Sequence, residues 1–214
     1  MVVLWDLDGT IQDSESLAKE GTRHGFRTVL GRVPTSVELA QLVGRPVPVV
    51  YKEWFGDELA QRILEVGTRF YEERAHKIPI FLGIADVLSR LKATSVMGVV
   101  SSKRRGHVLR ELESQQLLAL FDVIVAQEDT ARHKPDPAPL LLAAQRLGVP
   151  TKDSVYIGDQ PTDILAAAAA GMRSIAALWS DNRVSRFEGA PPTAIAHAPS
   201  DVVAVLSQMT HHMG

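Results

Sequence analysis

The aspartates that stand directly after short apolar runs are the residues of this sequence best suited to chemistry. Asp6 and Asp8 follow the run VVLW, and Asp159 and Asp163 follow the run VYIG. An ionised carboxylate beside buried apolar residues is costly unless a cation or a hydrogen-bond donor accompanies it. Several carboxylates brought to one place are typical ligands of a hard divalent cation. The pattern therefore predicts a metal site, with Mg²⁺ as the cofactor.

Hydroxyl and ammonium groups follow two further apolar runs. Ser101 and Ser102 come after VMGVV, and Lys134 lies in ARHKPDP, a few residues after VIVA. Lys134 and Ser101 are donors suited to phosphate oxygens. A carboxylate can attack phosphorus to form an aspartyl phosphate, and a second carboxylic acid can protonate the leaving oxygen and then deprotonate water. Together with the aspartates, these groups favour phosphoryl-transfer chemistry.

Each of these residues also has a purely structural interpretation. Aspartates near glycine are common in turns, and Asp163 could simply favour the positive end of its helix. Ser101 and Ser102 could cap a following helix. Lys134 could be a solvated loop residue, as most lysines are. The basic trio KRR at 103–105 could face the same cleft or only water.

The elements that must position these groups are short strands alternating with helices. Five apolar runs rich in Val and Ile show little polar alternation, which is typical of parallel strands covered on both faces. The predicted strands are VVLW (2–5), VMGVV (96–100), VIVA (123–126), VYIG (155–158) and SIAAL (174–178). The predicted helices span 84–92, 105–118, 137–147 and 162–170. This alternation predicts a Rossmann-like, doubly wound α/β fold, whose binding crevice lies beyond the carboxyl ends of the strands.

One stretch does not follow the alternation. Residues 13–80 show apolar positions at helical spacing and no convincing strand, and the stretch begins with a helix-capping pair, Asp13 and Ser14. We therefore predict an α/β core of residues 1–12 and 81–214, with a small all-helical cap of residues 13–80 inserted after the first strand. Trp54 and Phe55 are expected to belong to the apolar interior of this cap.

The composition narrows the classes of function. The 214 residues carry a formal net charge of −2 and contain no cysteine, so disulfides, thiolate metal sites and cysteine nucleophiles are excluded. The sequence has no clustered Lys and Arg that would cover a whole face, as nucleic-acid binding requires. No run approaches the roughly 20 apolar residues of a membrane span. We therefore expect a cytoplasmic protein with neither a nucleic-acid nor a membrane partner.

Four motifs in order along the core resemble one known family. The sequence is similar to the haloacid dehalogenase superfamily of phosphatases at four places. These are DLDGT after the first strand, the serine at 101, the lysine in HKPDP, and GDQPTD. The position of the helical insert resembles the helical-cap subgroup, in particular its phosphoglycolate phosphatase and pyrophosphatase branch. The resemblance implies hydrolysis of a small phosphorylated metabolite by a monomer or a homodimer.

The resemblance also implies roles for individual residues. It makes Asp6 the nucleophile and Asp8 the general acid and base. It makes Ser101, Ser102 and Lys134, which follow the second and third predicted strands, the residues that bind the phosphoryl group. It assigns Mg²⁺ to the Asp6 carboxylate, the Asp8 backbone carbonyl and Asp159, with Asp163 in or just outside the metal shell.

The family also places residues that select the substrate on its cap. Arg45, in the Gly-Arg-Pro interruption of a helical pattern, could recognise a second anionic group of the substrate. It could equally be a surface arginine that packs its aliphatic stem.

Two residues depart from the family pattern. Gln12 stands where relatives carry an apolar residue, a change expected to have little effect. Ala18 stands where the sugar-phosphate mutases of the subgroup tend to carry histidine, which disfavours mutase chemistry. Asp8 in turn disfavours dehalogenation, which needs no second acid. A phosphomutase and a catalytically silent binding protein remain alternatives to the phosphatase.

Overall fold

A six-stranded parallel sheet forms the centre of the fold. The computed structural model describes residues 1–42 and 47–211. The strands are β1 (Val2–Trp5), β2 (Val96–Val100), β3 (Val123–Val125), β4 (Ser154–Gly158), β5 (Arg173–Ala177) and β6 (Ala194–Ala196). Their order across the sheet is β3-β2-β1-β4-β5-β6, and every neighbouring pair is parallel. Strand β6 was not predicted, because its sequence AIA has one β-branched residue between two alanines, unlike the Val- and Ile-rich run of β3.

The inserted stretch is helical in all its described elements. Its helices are α1 (Ser14–Leu30), α2 (Ser36–Leu42) and α3 (Val47–Arg74). Helix α3 is interrupted at Gly56, whose φ of 74° is left-handed. The apolar faces of α1 and α3 meet around Phe26, Tyr51 and Ile63, and Trp54 packs against this cluster. The aromatic residues near the start of α3 therefore contribute to the interior of the helical unit.

Five further helices cover the sheet. They are α4 (Ile84–Lys92), α5 (Arg105–Ser114), α6 (Ala138–Leu147), α7 (Pro161–Ala169) and α8 (Asp201–His211). Alternate residues of β1 point to opposite faces: Val3 and Trp5 pack in one apolar cluster, and Leu4 packs in another. Because both faces are covered, the strand has no polar side, which explains its continuous apolar sequence. The predicted α/β fold class is confirmed.

Helix α5 ends earlier than predicted. The periodicity predicted a helix to residue 118, but the last helical residue is Ser114. Gln116 has a φ of 59°, and the N–H of Leu117 donates to the carbonyl oxygen of Leu112 at 2.8 Å. This six-residue closure is the usual way a left-handed residue terminates a helix. The apolar residues that follow belong to a short 3₁₀ turn, Leu118–Leu120.

The chain divides into two compact units, Ser14–Ile78 and the residues on either side of it. On the core side, the two ends of the insertion are tied together. The Asp13 N–H donates to the Pro79 carbonyl oxygen at 2.9 Å, and the Phe81 N–H donates to the Ile11 carbonyl oxygen at 3.1 Å. Gln12 also forms an antiparallel bridge with Ile80. In the part of the chain that the structure describes, no helix combines the length and apolarity that a membrane span requires.

The strand order places β1 at the centre of the sheet. It pairs with β2 on one side and with β4 on the other, so the chain reverses its direction of winding at β1. In open α/β sheets the binding crevice forms at such a switch point, beyond the carboxyl ends of the strands. The residues that follow β1, β2 and β4 therefore form the candidate site.

Candidate active site

Lys134 joins the carboxylates that follow β1 and β4. Its Nζ donates to Asp6 Oδ1 at 2.7 Å, to Asp163 Oδ1 at 2.7 Å and to the hydroxyl of Tyr156 at 2.8 Å. The lysine side chain is 7% exposed, so these three acceptors surround its ammonium group away from water. The Asp6 N–H in turn donates to the carbonyl oxygen of Ile157 on β4 at 2.8 Å. The predicted residues Asp6, Lys134 and Asp163 are thus in direct contact.

Three buried carboxylates form a potential cation site. Asp6, Asp159 and Asp163 each offer an oxygen, and these oxygens lie within 4.8 Å of one another. One ammonium group, that of Lys134, contacts this cluster through Asp6 and Asp163, so the cluster has an excess of negative charge when all three carboxylates are ionised. Oxygen ligands with excess negative charge fit Mg²⁺, so the donor set suits the predicted cofactor.

The start of α7 orients the carboxylates from β4. Asp163 Oδ2 accepts the backbone N–H of Gln160 at 2.9 Å. Asp159 Oδ2 accepts a hydrogen bond from the Gln160 side chain, and its Oδ1 accepts one from the Thr10 hydroxyl at 3.4 Å. The helix start therefore fixes both carboxylates before any ligand binds.

Glycine at position 9 is required by the close approach of Asp159. Gly9 has a φ of +81°, and a Cβ built on it would lie 2.6 Å from the carboxyl carbon of Asp159. A side chain would both strain the backbone and occupy the position of the carboxylate. The Asp-Gly-Thr sequence after β1 thus brings two loops together, with Thr10 bonding the same aspartate.

Burial and charge shift the proton affinities of the site. Burial raises the pKa of Asp6 well above its usual range, with Lys134 opposing the shift and Asp163 adding to it. Burial, together with the charge of Asp163, raises the pKa of Asp159 to about 7. Burial opposes the positive charge of Lys134, but Asp163 and Asp6 outweigh it and raise the pKa of that ammonium group. The ammonium charge is therefore retained while two carboxyl groups resist ionisation.

Asp8 lies in a different environment from Asp6. Its side chain is 33% exposed, and its Oδ1 accepts hydrogen bonds from Lys103 Nζ at 2.8 Å and from Gln12 Nε2 at 2.9 Å. Ser101 is buried at the end of β2, where its hydroxyl accepts the Lys103 N–H at 3.1 Å. Ser102 is exposed in the same loop. The loop after β2 therefore reaches Asp8 through Lys103.

The structure adds residues that the sequence did not single out. Tyr156 accepts a hydrogen bond from Lys134 and donates one to the carbonyl oxygen of Val100 at 2.9 Å. A hydroxyl group within the otherwise apolar run VYIG was the feature of the sequence that could have indicated a polar role for Tyr156. Of the basic trio, Lys103 faces Asp8, Arg104 is exposed and Arg105 pairs with Asp129. Arg45 lies outside the described residues.

Comparison with known proteins shows the family to which this sequence is similar. A family model described as haloacid dehalogenase-like hydrolase matches residues 3–177. A Caldanaerobacter subterraneus protein provisionally named pyrophosphatase PpaX is 37% identical over 181 residues, covering 83% of this chain and 81% of that protein. A phosphoglycolate phosphatase of Xanthomonas campestris is 36% identical over 187 residues, covering 83% and 82% of the two chains.

A solved structure also shares the fold. A haloacid dehalogenase-like family hydrolase from Streptococcus pneumoniae aligns with a TM-score of 0.83 and 21% identity, over 96% of this chain and 97% of that one. The family model spans the loops after β1, β2 and β4 and so contains every residue of the carboxylate cluster. From its sequence match, its fold and the residues at its switch point, this chain belongs to the haloacid dehalogenase-like hydrolase family.

Proposed function

We propose that this protein is a Mg²⁺-dependent phosphatase that hydrolyses a small phosphorylated metabolite through an aspartyl phosphate on Asp6. The supporting observation is the buried contact of Asp6 with Lys134 inside a cluster of three carboxylates. The residues that we propose as nucleophile, phosphate-binding cation and metal ligands are therefore close neighbours. The relatives named as a pyrophosphatase and as a phosphoglycolate phosphatase support the same class of substrate.

In the proposed reaction, the Asp6 carboxylate attacks phosphorus while Asp8 gives a proton to the leaving oxygen. Asp8 then takes a proton from the water that hydrolyses the aspartyl phosphate. Lys134 and Ser101 bind the phosphoryl oxygens, assisted by the loop at Ser102, and stabilise the charge that develops on them. The Asp6 carboxylate, the Asp8 carbonyl, Asp159 and Asp163 would hold the metal.

The metal, when bound, neutralises negative charge and orients the phosphate. Metal binding also requires ionised carboxylates, and here burial raises the pKa of both Asp6 and Asp159. The two groups are therefore expected to ionise more readily when the cation is present. We further propose that residues 13–80 form the cap, and that Arg45 recognises a second anionic group of the substrate.

Phosphate release tests the proposal directly. The purified protein is assayed against small phosphoesters and pyrophosphate with Mg²⁺, and again with EDTA. We expect Mg²⁺-dependent release that is strongest for one or two compounds. Asp6→Asn should abolish release while the protein still unfolds in one cooperative transition, and Asp86→Asn, at an exposed aspartate of α4, should remain active.

Other outcomes would point to the alternatives. Isomerisation of a hexose phosphate without net phosphate release would replace the phosphatase with a phosphomutase. Binding of phosphoesters without turnover would indicate a silent binding protein. Near-normal phosphate release by Asp6→Asn would show that the nucleophile is another residue.

A further inference from the structure

A closed ring of hydrogen bonds lies behind Asp8. Lys103 Nζ donates to Asp8 Oδ1 at 2.8 Å and to Glu111 Oε2 at 2.6 Å. Gln12 Nε2 donates to the same two oxygens, at 2.9 Å and 2.6 Å. Two donors and two acceptors thus alternate around the ring, and Gln115 Nε2 extends it by donating to Gln12 Oε1 at 2.7 Å.

The ring is buried on the side away from Asp8. Glu111 is 1% exposed and Gln12 is fully buried, while the Lys103 side chain is 15% exposed. Glu111 lies on the face of α5 that also carries Val108 and Leu112 into the core. A helix normally presents apolar residues on this face, so a glutamate here departs from the pattern.

A buried ion pair is a poor way to gain stability. Removing a carboxylate and an ammonium group from water costs several kcal/mol per ion, and an apolar pair of similar volume is often as stable or more so. Glu111 Oε1 is buried and has no hydrogen-bond partner among the described residues, so the Lys103–Glu111 pair leaves one carboxylate oxygen without a hydrogen bond. The ring is therefore better explained by what it does to Asp8.

The ring fixes the carboxyl group of Asp8 in one orientation. Both donors converge on Oδ1, so a proton carried by Asp8 must lie on the other oxygen, Oδ2. Lys103 comes from the loop after β2, and Glu111 from α5, which keeps the ammonium group in place from the far side. Hydrogen bonds to charged groups and closed networks hold geometry more rigidly than single neutral bonds.

We propose that Lys103, Glu111 and Gln12 are positioning residues for Asp8: they hold Oδ1 so that Oδ2 carries the proton to the leaving oxygen. This proposal rests on the phosphatase function proposed above. As the ester P–O bond breaks, the Oδ2 proton moves to the departing alkoxide oxygen, and Asp8 becomes a carboxylate. That carboxylate then accepts a proton from the attacking water. The consequence for substrate class is a preference for esters whose alkoxide leaving group requires protonation.

The leaving group of the substrate separates this role from a structural one. An alkyl phosphate departs as a basic alkoxide and needs the proton, whereas p-nitrophenyl phosphate departs as a weakly basic phenolate and does not. Because kcat/KM reports only the steps through transfer of the phosphoryl group to Asp6, we expect Lys103→Met to lower kcat/KM by about 100-fold on the alkyl ester, since general acid catalysis contributes roughly 10²–10⁴-fold. On p-nitrophenyl phosphate the loss should be under about 10-fold, with KM little changed on either ester.

Companion variants keep the test independent of folding. Lys103→Met/Glu111→Leu removes both charges together, so no unpaired carboxylate remains in the core, and it should show the same selective loss. Gln12→Leu removes one donor to Oδ1 and should show a smaller loss of the same kind. Arg104→Met, at the exposed neighbouring position, should leave both rates unchanged.

The outcomes distinguish this inference from the proposed function. Equal losses on the two esters in the Lys103 variants would overturn the positioning role and indicate a structural one. A large rise in KM with unchanged kcat would overturn it in favour of direct substrate binding by Lys103. A wild-type protein that releases no phosphate from either ester with Mg²⁺ would refute the phosphatase function itself, and this inference with it.

Discussion

Replacing Lys134 with methionine tests how much the ammonium group of Lys134 stabilises the buried carboxylates. The variant keeps the volume of the side chain but removes the ammonium group that contacts Asp6 and Asp163, each at 2.7 Å. Both carboxylates are buried, and loss of one partner from a buried ion pair costs about 3–5 kcal/mol. For a chain of this size, that corresponds to a fall in melting temperature of about 6–20 °C in EDTA.

The loss of stability in Lys134→Met should be larger at high pH than at low pH. Burial already raises the pKa of Asp6 in the folded protein, against the opposing effect of Lys134. Without the lysine that pKa rises further, so the neutral carboxyl group stabilises the variant fold at low pH. This contribution is lost as the pH rises through the folded pKa. The melting temperature of Lys134→Met should therefore fall further below that of the wild type at pH 8 than at pH 5.

Thermal unfolding in EDTA followed by circular dichroism measures both effects. Lys152→Met, at an exposed position of the 3₁₀ turn Thr151–Asp153, is the matched control and should change stability by less than about 0.5 kcal/mol. Adding Asp163→Asn to Lys134→Met should recover part of the loss, since one uncompensated carboxylate is removed. A Lys134→Met protein as stable as the wild type, or a deficit equal at pH 5 and pH 8, would refute the reasoning.

Two further predictions concern the proposed metal site. A Cβ at Gly158 would lie 2.5 Å from the Cβ and Cγ atoms of Asp163, so Gly158→Ala should destabilise the protein by about 1–3 kcal/mol and reduce the rise in melting temperature caused by Mg²⁺. Gly98→Ala, whose Cβ would lie 2.4 Å from Val123 Cγ1, should cost similar stability in the same melts but leave the Mg²⁺ response intact; equal responses in the two variants would contradict this. Burial raises the pKa of Asp159 to about 7, so its neutral form stabilises the metal-free fold at low pH and this stability is lost as the pH rises through 7. The rise in melting temperature with Mg²⁺ should therefore be larger at pH 8 than at pH 6, and an equal or smaller rise at pH 8 would show that Asp159 does not control the binding.

The sheet was largely predictable because its strands are buried on both faces. A strand such as β4 has no solvent side, so it gives a continuous apolar run that ends where the carboxylates begin. Both edge strands have three residues, but β3 reads VIV whereas β6 reads AIA, and alanine does not favour a strand. Helix α5 was predicted too long because the apolar residues beyond Ser114 continue the helical spacing, whereas the left-handed Gln116 ends it.

The convergence of Asp6, Asp159 and Lys134 was predictable from topology, since each follows a strand of the same parallel sheet. The ring behind Asp8 was not, because it depends on pairings over long separations in sequence. Gln12 and Glu111 are 99 positions apart, and neither residue alone predicts the hydrogen bond between them. In sequence, Gln12 was expected to have little effect. In the structure it bonds the proposed general acid.

The junction where the helical unit enters the core has a consequence for how such proteins diversify. The hydrogen bonds between Asp13 and Pro79 and between Phe81 and Ile11 close the insertion at its base, so the loop that follows β1 is held by contacts within the core. Lengthening a loop whose ends are already joined adds little entropic cost, because that cost grows only slowly with length. Under the proposed function, the inserted helices can be exchanged or remodelled for a new substrate while the loop at Asp6 keeps its conformation. A minimal version with a short flexible linker from Asp13 to Pro79 would be the natural starting point for grafting other insertions onto this core.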